Sequence, residues 1–274
     1  MSSAMQIVAV ERVLVAVANL DEARSNWSRA GFAIASGSFS DGGLEFARMA
    51  TGAVEIDLVG LLPGERTSAL AEPVAARIEN GGGIIGWIWG LGEPASESAQ
   101  RVTIVPGSRE SGEIADLVPS ALPGVFTAAL EIDGDLEARR ARLATKCGSN
   151  PNTVDYLEHI VVMTPDLEHA ISQSAAIGVP CKRIRELGNG TRQAFFKLEQ
   201  TVLEVVGPSR GEPGCWGLAL MCSDIHTAVA HARNSGLQAT EPKAAIQGGL
   251  IARIIEPLDG VAIAFMQSGP RRDT

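Results

Sequence analysis

The sequence is short of positive charge. Against 32 acidic residues it sets 23 lysines and arginines, a net charge of −9, whereas sequence-independent nucleic-acid binding needs a basic footprint to displace counterions. No nucleic acid is therefore expected as a partner. An uninterrupted apolar run is missing too: the start is apolar from Met5 to Leu20, but Glu11 and Arg12 break it and no basic segment precedes it. It reads as a first strand, neither a signal peptide nor a membrane span. The four cysteines, Cys147, Cys181, Cys215 and Cys222, have no C-x-x-C spacing, which argues against zinc or a disulfide framework and suits reduced thiols in a cytoplasmic protein. Gly81-Gly82-Gly83 is followed by no lysine with serine or threonine, so it is a turn or hinge and no phosphate loop.

What the chain does have is apolar substance, 45% over 274 residues, a length that predicts about two domains. The stretch Tyr156–Ala170, YLEHIVVMTPDLEHA, organises the rest. It predicts a buried strand running through Thr164-Pro165-Asp166 into a helix with Glu168 in its first turn. His159 sits near the start of that strand among apolar neighbours, either as a group facing a cavity or as a hydrogen-bonded core histidine. The opening of the chain repeats this stretch. A shift of 147 residues aligns Glu11 with Glu158, Val15 with Val162, Leu20 with Leu167, Ala23 with Ala170, Gly31 with Gly178 and Val59-Gly60 with Val206-Gly207. The chain is built from copies.

Each copy predicts one plan, β-α-β-β-β. A strand (Val10–Val17; Leu157–Met163) leads to an amphipathic helix (Asp21–Ala30; Leu167–Ile177) stopped at Gly31 or Gly178. Three strands follow: Phe32–Ser36, Leu44–Ala50 and Ala53–Val59 in the first copy, Val179–Ile184, Gln193–Leu198 and Thr201–Val206 in the second. A more diverged unit has strands at Gly83–Leu91, Arg101–Val105 and Val125–Ile132 with a weak helix at Glu93–Arg101; the helical, charged segment Asp135–Lys146 and the tract Gly148–Asn152 then read as a linker. A fourth unit has strand Trp216–Cys222, helix Ile225–Asn234 and strands Ala244–Ile246, Gly249–Glu256 and Gly260–Met266, before a tail, Gly269–Thr274, expected to be disordered. The expected architecture is α+β: an N-terminal domain over residues 1–146, with modules 5–60 and 83–133, and a C-terminal domain over 153–270, with modules 153–208 and 214–268.

Four such modules, with the opening LEHIVVMTPDLEHA, the helix stop at Gly178, the strands FFKLEQTVLEVVGP and the late turn EPLDGVAIAFM, resemble the vicinal oxygen chelate superfamily, which includes glyoxalase I, bleomycin-resistance proteins, methylmalonyl-CoA epimerase and extradiol dioxygenases. The resemblance covers nearly the whole chain and is poorest in module two. It implies glyoxalase/bleomycin-resistance-like domains whose mixed sheets curl into cups holding a small molecule. It also implies metal ligands from a His, Gln or Glu on a module's first strand and a Glu on its fourth. In module three those slots fall on His159 and Glu204, donors that suit a divalent metal such as iron, manganese, zinc, nickel or cobalt.

Glu204 lies in the apolar run TVLEVVG, where an unpartnered carboxylate is costly; its partner is His159 or a donor on a neighbouring strand. In module four the slots fall on Gly217 and Ala264, in module two near Gly86 and Ala128, and in module one on Arg12 and Asp57, read as an ion pair in place of a metal. If an enzyme, the resemblance implies metal-assisted lyase, isomerase or dioxygenase chemistry with His159 and Glu204 as both catalytic and metal residues. The alternative is a non-catalytic sequestering protein of the bleomycin-resistance type. The N-terminal half then reads as a structural or dimerising platform, with a homodimer as its partner state. His169, His226 and His231 fall on helices and Cys222 in packing, away from any site; Trp87, Trp89, Trp216 and Tyr156 flank first strands, where some face a cup.

Overall fold

The computed structural model describes residues 6–92, 101–105, 113–117, 120, 122–246 and 248–269. The body of the expected helix Glu93–Arg101 and the end of the tail, 270–274, lie outside them. In the N-terminal half β1 (Ile7–Ala16), α1 (Leu20–Arg29), β2 (Phe39–Asp41), β3 (Leu44–Thr51) and β4 (Val54–Leu61) form the first module. After α2 (Ala71–Glu79), β5 (Gly83–Leu91), β6 (Arg101–Val105), β7 (Glu113–Leu117) and β8 (Phe126–Glu131) form the second, and α3 (Leu136–Cys147) leads onward. The third module is β9 (Val154–Met163), α4 (Leu167–Ala176), β10 (Arg183–Gly188), β11 (Thr191–Leu198) and β12 (Thr201–Gly207). The fourth is β13 (Gly214–Cys222), α5 (Ile225–Asn234), β14 (Lys243–Ala244), β15 (Leu250–Arg253) and β16 (Ala262–Gln267).

The helices start and stop where short polar side chains and glycines put them. Asn19, Asp166 and Asp224 cap α1, α4 and α5 by accepting from the backbone N–H groups of Glu22, His169 and His226. Gly31 and Gly178, just past α1 and α4, take the left-handed conformation (φ +86° and +84°) that a side chain would resist. α2 has no side-chain cap at Leu70, and its first turn contains Pro73. Both features hide it from a reading based on start signals.

Each half is one eight-stranded mixed sheet, and the two sheets have the same strand order, β2-β3-β4-β1-β5-β8-β7-β6 and β10-β11-β12-β9-β13-β16-β15-β14. The 147-residue repeat holds in register: Arg12 pairs Glu55 and Leu14 pairs Asp57, as His159 pairs Val202 and Val161 pairs Glu204. Even the irregularities recur. Between Val10 and Arg12 a bulge sets Glu11 out of the ladder, and between Leu157 and His159 a bulge does the same to Glu158. The strands after α1 and α4 come later than expected. Phe32–Ser36 makes only a bridge from Ile34 to Met49, and Val179 docks into the core next to Pro180, which cannot donate to a ladder, so pairing starts at Phe39 and Arg183.

Alternate residues of each strand face opposite sides. One face packs under α1, α4 and α5 in a single apolar cluster that runs through both halves and includes Trp27, Trp87, Trp89, Leu203 and Phe265. Trp87 and Trp89, 5.1 Å apart edge to face, are therefore core and not cup lining. The segment Asp135–Lys146, expected to be helical and part of a linker, is largely α3 and is packed rather than free: its Leu143 and Cys147 lie on Ala50 and Ala35. Arg139 on α3 is buried and reaches Glu11 of one half at 2.7 Å and Glu199 of the other at 3.1 Å.

Candidate functional site

The opposite faces of the two sheets are the cup faces, and they differ in what fills them. In the N-terminal half the long connection 62–82 carries α2 onto the cup face, where Val74 and Ala71 join Leu14, Ala16, Phe46 and Val59 in a closed apolar cluster. In the C-terminal half the corresponding connection is only 208–213, too short for a helix. Its cup face keeps a small cluster of Ala219, Met221 and Met266, flanked by half-buried Tyr156, Ile251 and Ala264. No helix packs there among the described residues.

Beside α2 the N-terminal cup holds charge. Arg48 grips Asp57 through two hydrogen bonds of 2.6 and 2.7 Å, and Arg12 contacts Glu55 at 2.6 Å and Asp57 at 3.4 Å. Arg48 and Lys146 also reach Glu55, at 3.2 and 3.3 Å. The expected Arg12–Asp57 contact is present but secondary: Arg48, directly across the ladder from Asp57, is its main partner, and Arg12 falls to Glu55, its own register partner. Burial pushes the Glu55 carboxyl up, but Arg12, Arg48 and Lys146 outweigh it and hold it well below the usual range.

The C-terminal cup carries the two sequence-predicted site residues on one face. His159 is buried on β9, and Glu204, half-buried on β12, lies opposite Val161, two residues along the same face. The structure brings them to one surface but gives each a different neighbour. Glu204 accepts a short hydrogen bond from the Gln193 side-chain amide of β11, the neighbouring-strand donor that an apolar setting demanded. His159 meets the ring of Phe195 edge-on, with centroids 6.4 Å apart, and its Nδ1 lies 3.9 Å from Glu158. Burial, helped by the Lys197 charge, lowers its pKa to about 4, so the imidazole is neutral at pH 7. Burial raises the Glu204 carboxyl, opposed by the Gln193 hydrogen bond and by Arg185, and burial raises Glu158 likewise. Sequence reading missed Gln193 and Phe195. Each is one position from buried Ala194, so strand alternation sets both on the opposite face, and the β11–β12 register puts Phe195 directly opposite Glu204.

The remaining residues do not make up a protein-held metal centre. Register places Gly86 against Leu14 and Gly217 against Val161, so these glycines are the equivalent slots of modules two and four. A Cβ at Gly86 would lie 1.8 Å from the carbonyl oxygen of Phe126, and one at Gly217 2.4 Å from that of Ala262. Backbone occupies the space a ligand side chain would need. Ala219 and Ala264, which continue the row from His159, offer only methyl groups, and no three His, Cys, Asp or Glu side chains gather for a metal among the described residues.

The three helix histidines and Cys222 fall outside the cup. His169, His226 and His231 are on α4 and α5. Cys222 is buried, and burial pushes its thiol to about 12, the opposite of a nucleophile. A separate open groove where the halves meet is lined by Ala50, Arg140, Asn150, Asp155 and Ser223 among others, but its Arg140 and Asp155 are paired with each other. No helix of the described residues is long and apolar enough to cross a membrane.

No protein-family model matches the sequence, and no curated protein matches it either. Solved structures do resemble it. A triple mutant of 4-hydroxymandelate synthase from Streptomyces coelicolor superposes with a TM-score of 0.67 at 14% identity, over 98% of this chain and 95% of that one. A xylose isomerase-like TIM barrel/4-hydroxyphenylpyruvate dioxygenase fusion protein superposes with a TM-score of 0.65 at 15% identity, over 100% of this chain and 51% of that one. The chain thus spans about half the length of the fusion protein. At such identities the likeness is one of fold.

Proposed function

We infer that this chain, which has the vicinal oxygen chelate fold, binds a small organic molecule in the cup of its C-terminal sheet, with residues 153–270 as the functional domain. The carrying observation is the asymmetry of the cups: α2 fills one, and the other keeps an unfilled face with a neutral imidazole and a hydrogen-bonded carboxyl in it. His159 and Glu204 form its polar floor, and Tyr156, Met221 and Met266 supply apolar contact, the mixture of few polar and many apolar groups usual in small-molecule sites. Binding of this kind needs no divalent metal and is of the sequestering type. A metabolite screen by thermal shift tests it, because a ligand that prefers the folded state raises the melting point. The expected hit persists in excess chelator and is lost in Val161→Trp, which fills the cup face. A hit that chelation abolishes would defeat the metal-free reading.

One observation favours a catalytic version of the same site. A carboxyl raised by burial takes up a proton more readily than a solvated one, and Glu204 is such a group, fixed by Gln193. In that version Glu204 takes or gives a proton on the bound molecule, as in lyase or isomerase chemistry. Exchange of a ligand C–H for deuterium in D2O, lost in Glu204→Gln with binding retained, is the expected signature.

A further inference from the structure

The ligand chemistry is written on the rim of the cup, and it runs against the charge of the chain. Reading across the sheet at the level of His159, the same face presents Lys197, Val202, His159, Ala219, Ala264 and Arg253 in one row. The adjacent rows begin with Arg183, opposite Phe195, and Arg185, opposite Gln193. Cations therefore stand at both edges of the face, with apolar and neutral groups between them. Arg183 lies over the Phe195 ring at 5.8 Å, which directs it inward along the face. Among the described residues Arg183, Arg185 and Arg253 form no ion pair. By contrast, Arg192, on the other face of the same hairpin, is paired with Glu168 of α4 at 2.6 Å. Two carboxyls share this face, Glu204, held by Gln193, and Glu158, beside His159, against the four cations Lys197, Arg183, Arg185 and Arg253. On a chain of net charge −9, a face that sets four cations against two carboxyls is a local reversal of field, and such a reversal in a cleft selects the charge of what enters.

We propose that the C-terminal cup takes an organic anion: its acidic group is held at the Arg183–Arg185 rim and its apolar or ring-bearing body lies across Phe195 toward Met221. The proposal rests on the cup being the binding site and adds the charge of the occupant. A matched pair of dyes separates the two claims, 8-anilinonaphthalene-1-sulfonate and N-phenyl-1-naphthylamine, which share their rings and differ in the sulfonate. Fluorescence titration of the whole chain is expected to show the sulfonate bound about tenfold more tightly than the neutral dye, as two partly solvated ion pairs would give. Arg183→Gln with Arg185→Gln, both at solvent-accessible positions, is expected to erase that preference and leave the neutral dye unchanged. Val161→Trp, checked for an intact melting transition, is expected to displace both dyes. Ala264→Phe serves if that variant does not fold. Equal affinity for the two dyes, or a preference that survives loss of both arginines, overturns the anion inference while the cup stands. Dyes that bind unaffected by the cup-filling variants, or fail to bind at all, overturn the cup itself.

Discussion

The two halves start from one plan and end with opposite uses of the same positions. Where the N-terminal sheet has Arg12, Arg48 and Asp57, the C-terminal sheet has His159, Phe195 and Glu204 at the register-equivalent places. In the first, two guanidinium groups and two carboxylates pair with each other under α2 and α3. In the second, the carboxyl has only an amide partner and the imidazole an aromatic edge, beside a face that no helix covers. A polar set that closes on itself is structural, and one left partly unsatisfied in a cup is available for a guest.

The largest effect expected from breaking this contrast is on Arg48. Its removal leaves Asp57 buried without its bidentate partner, so Arg48→Ala is expected to lower unfolding free energy by about 3–5 kcal/mol in urea titrations, against roughly 0.5 kcal/mol or less for Arg185→Ala on the open cup. Comparable losses would erase the distinction. Next comes pH. Because the His159 pKa falls from 6.5 to about 4 on folding, the neutral form is favoured in the native state; the stability this gives is fully present above pH 6.5 and is lost as pH falls toward 4. His159→Gln should flatten the acid limb of the stability curve relative to wild type by up to ~3 kcal/mol, and an unchanged limb would place the imidazole in water. A methyl group forced against the Ala262 carbonyl makes Gly217→Ala the third, with a loss of about 1–3 kcal/mol expected by thermal melting; a neutral result would reopen that slot to a metal-binding side chain. The smallest is Glu204→Gln. The raised Glu204 pKa means that its contribution is present below the unfolded carboxyl value and lost as pH rises through the folded one, so the variant should gain about 1 kcal/mol or less over wild type at pH 8.

Much of the fold was legible because it was written twice. The repeat carries the strand of His159 and the helix stops, and the structure adds to it two bulges whose extra residue is the same glutamate, Glu11 and Glu158. α2 was not legible: it has no copy to compare with and no capping side chain, and Pro73 in its first turn resembles a break. Its absence from the reading hid the reason for the difference between the cups. The floor residues His159 and Glu204 could be named from their slots; alternation sets Gln193 and Phe195 on one face of β11, but only the β11–β12 register brings that face to Glu204. The glycine slots were visible as missing donors. That backbone occupies their space, so that no donor could be restored, depended on distances no sequence contains.

Arg139 has a mechanical consequence. One guanidinium moors the two-residue turn that joins β11 to β12, through Glu199, to the first strand of the other half, through Glu11. The wall that bears Gln193 and Phe195 is thus tied by one buried cation to a keel in the other half of the molecule.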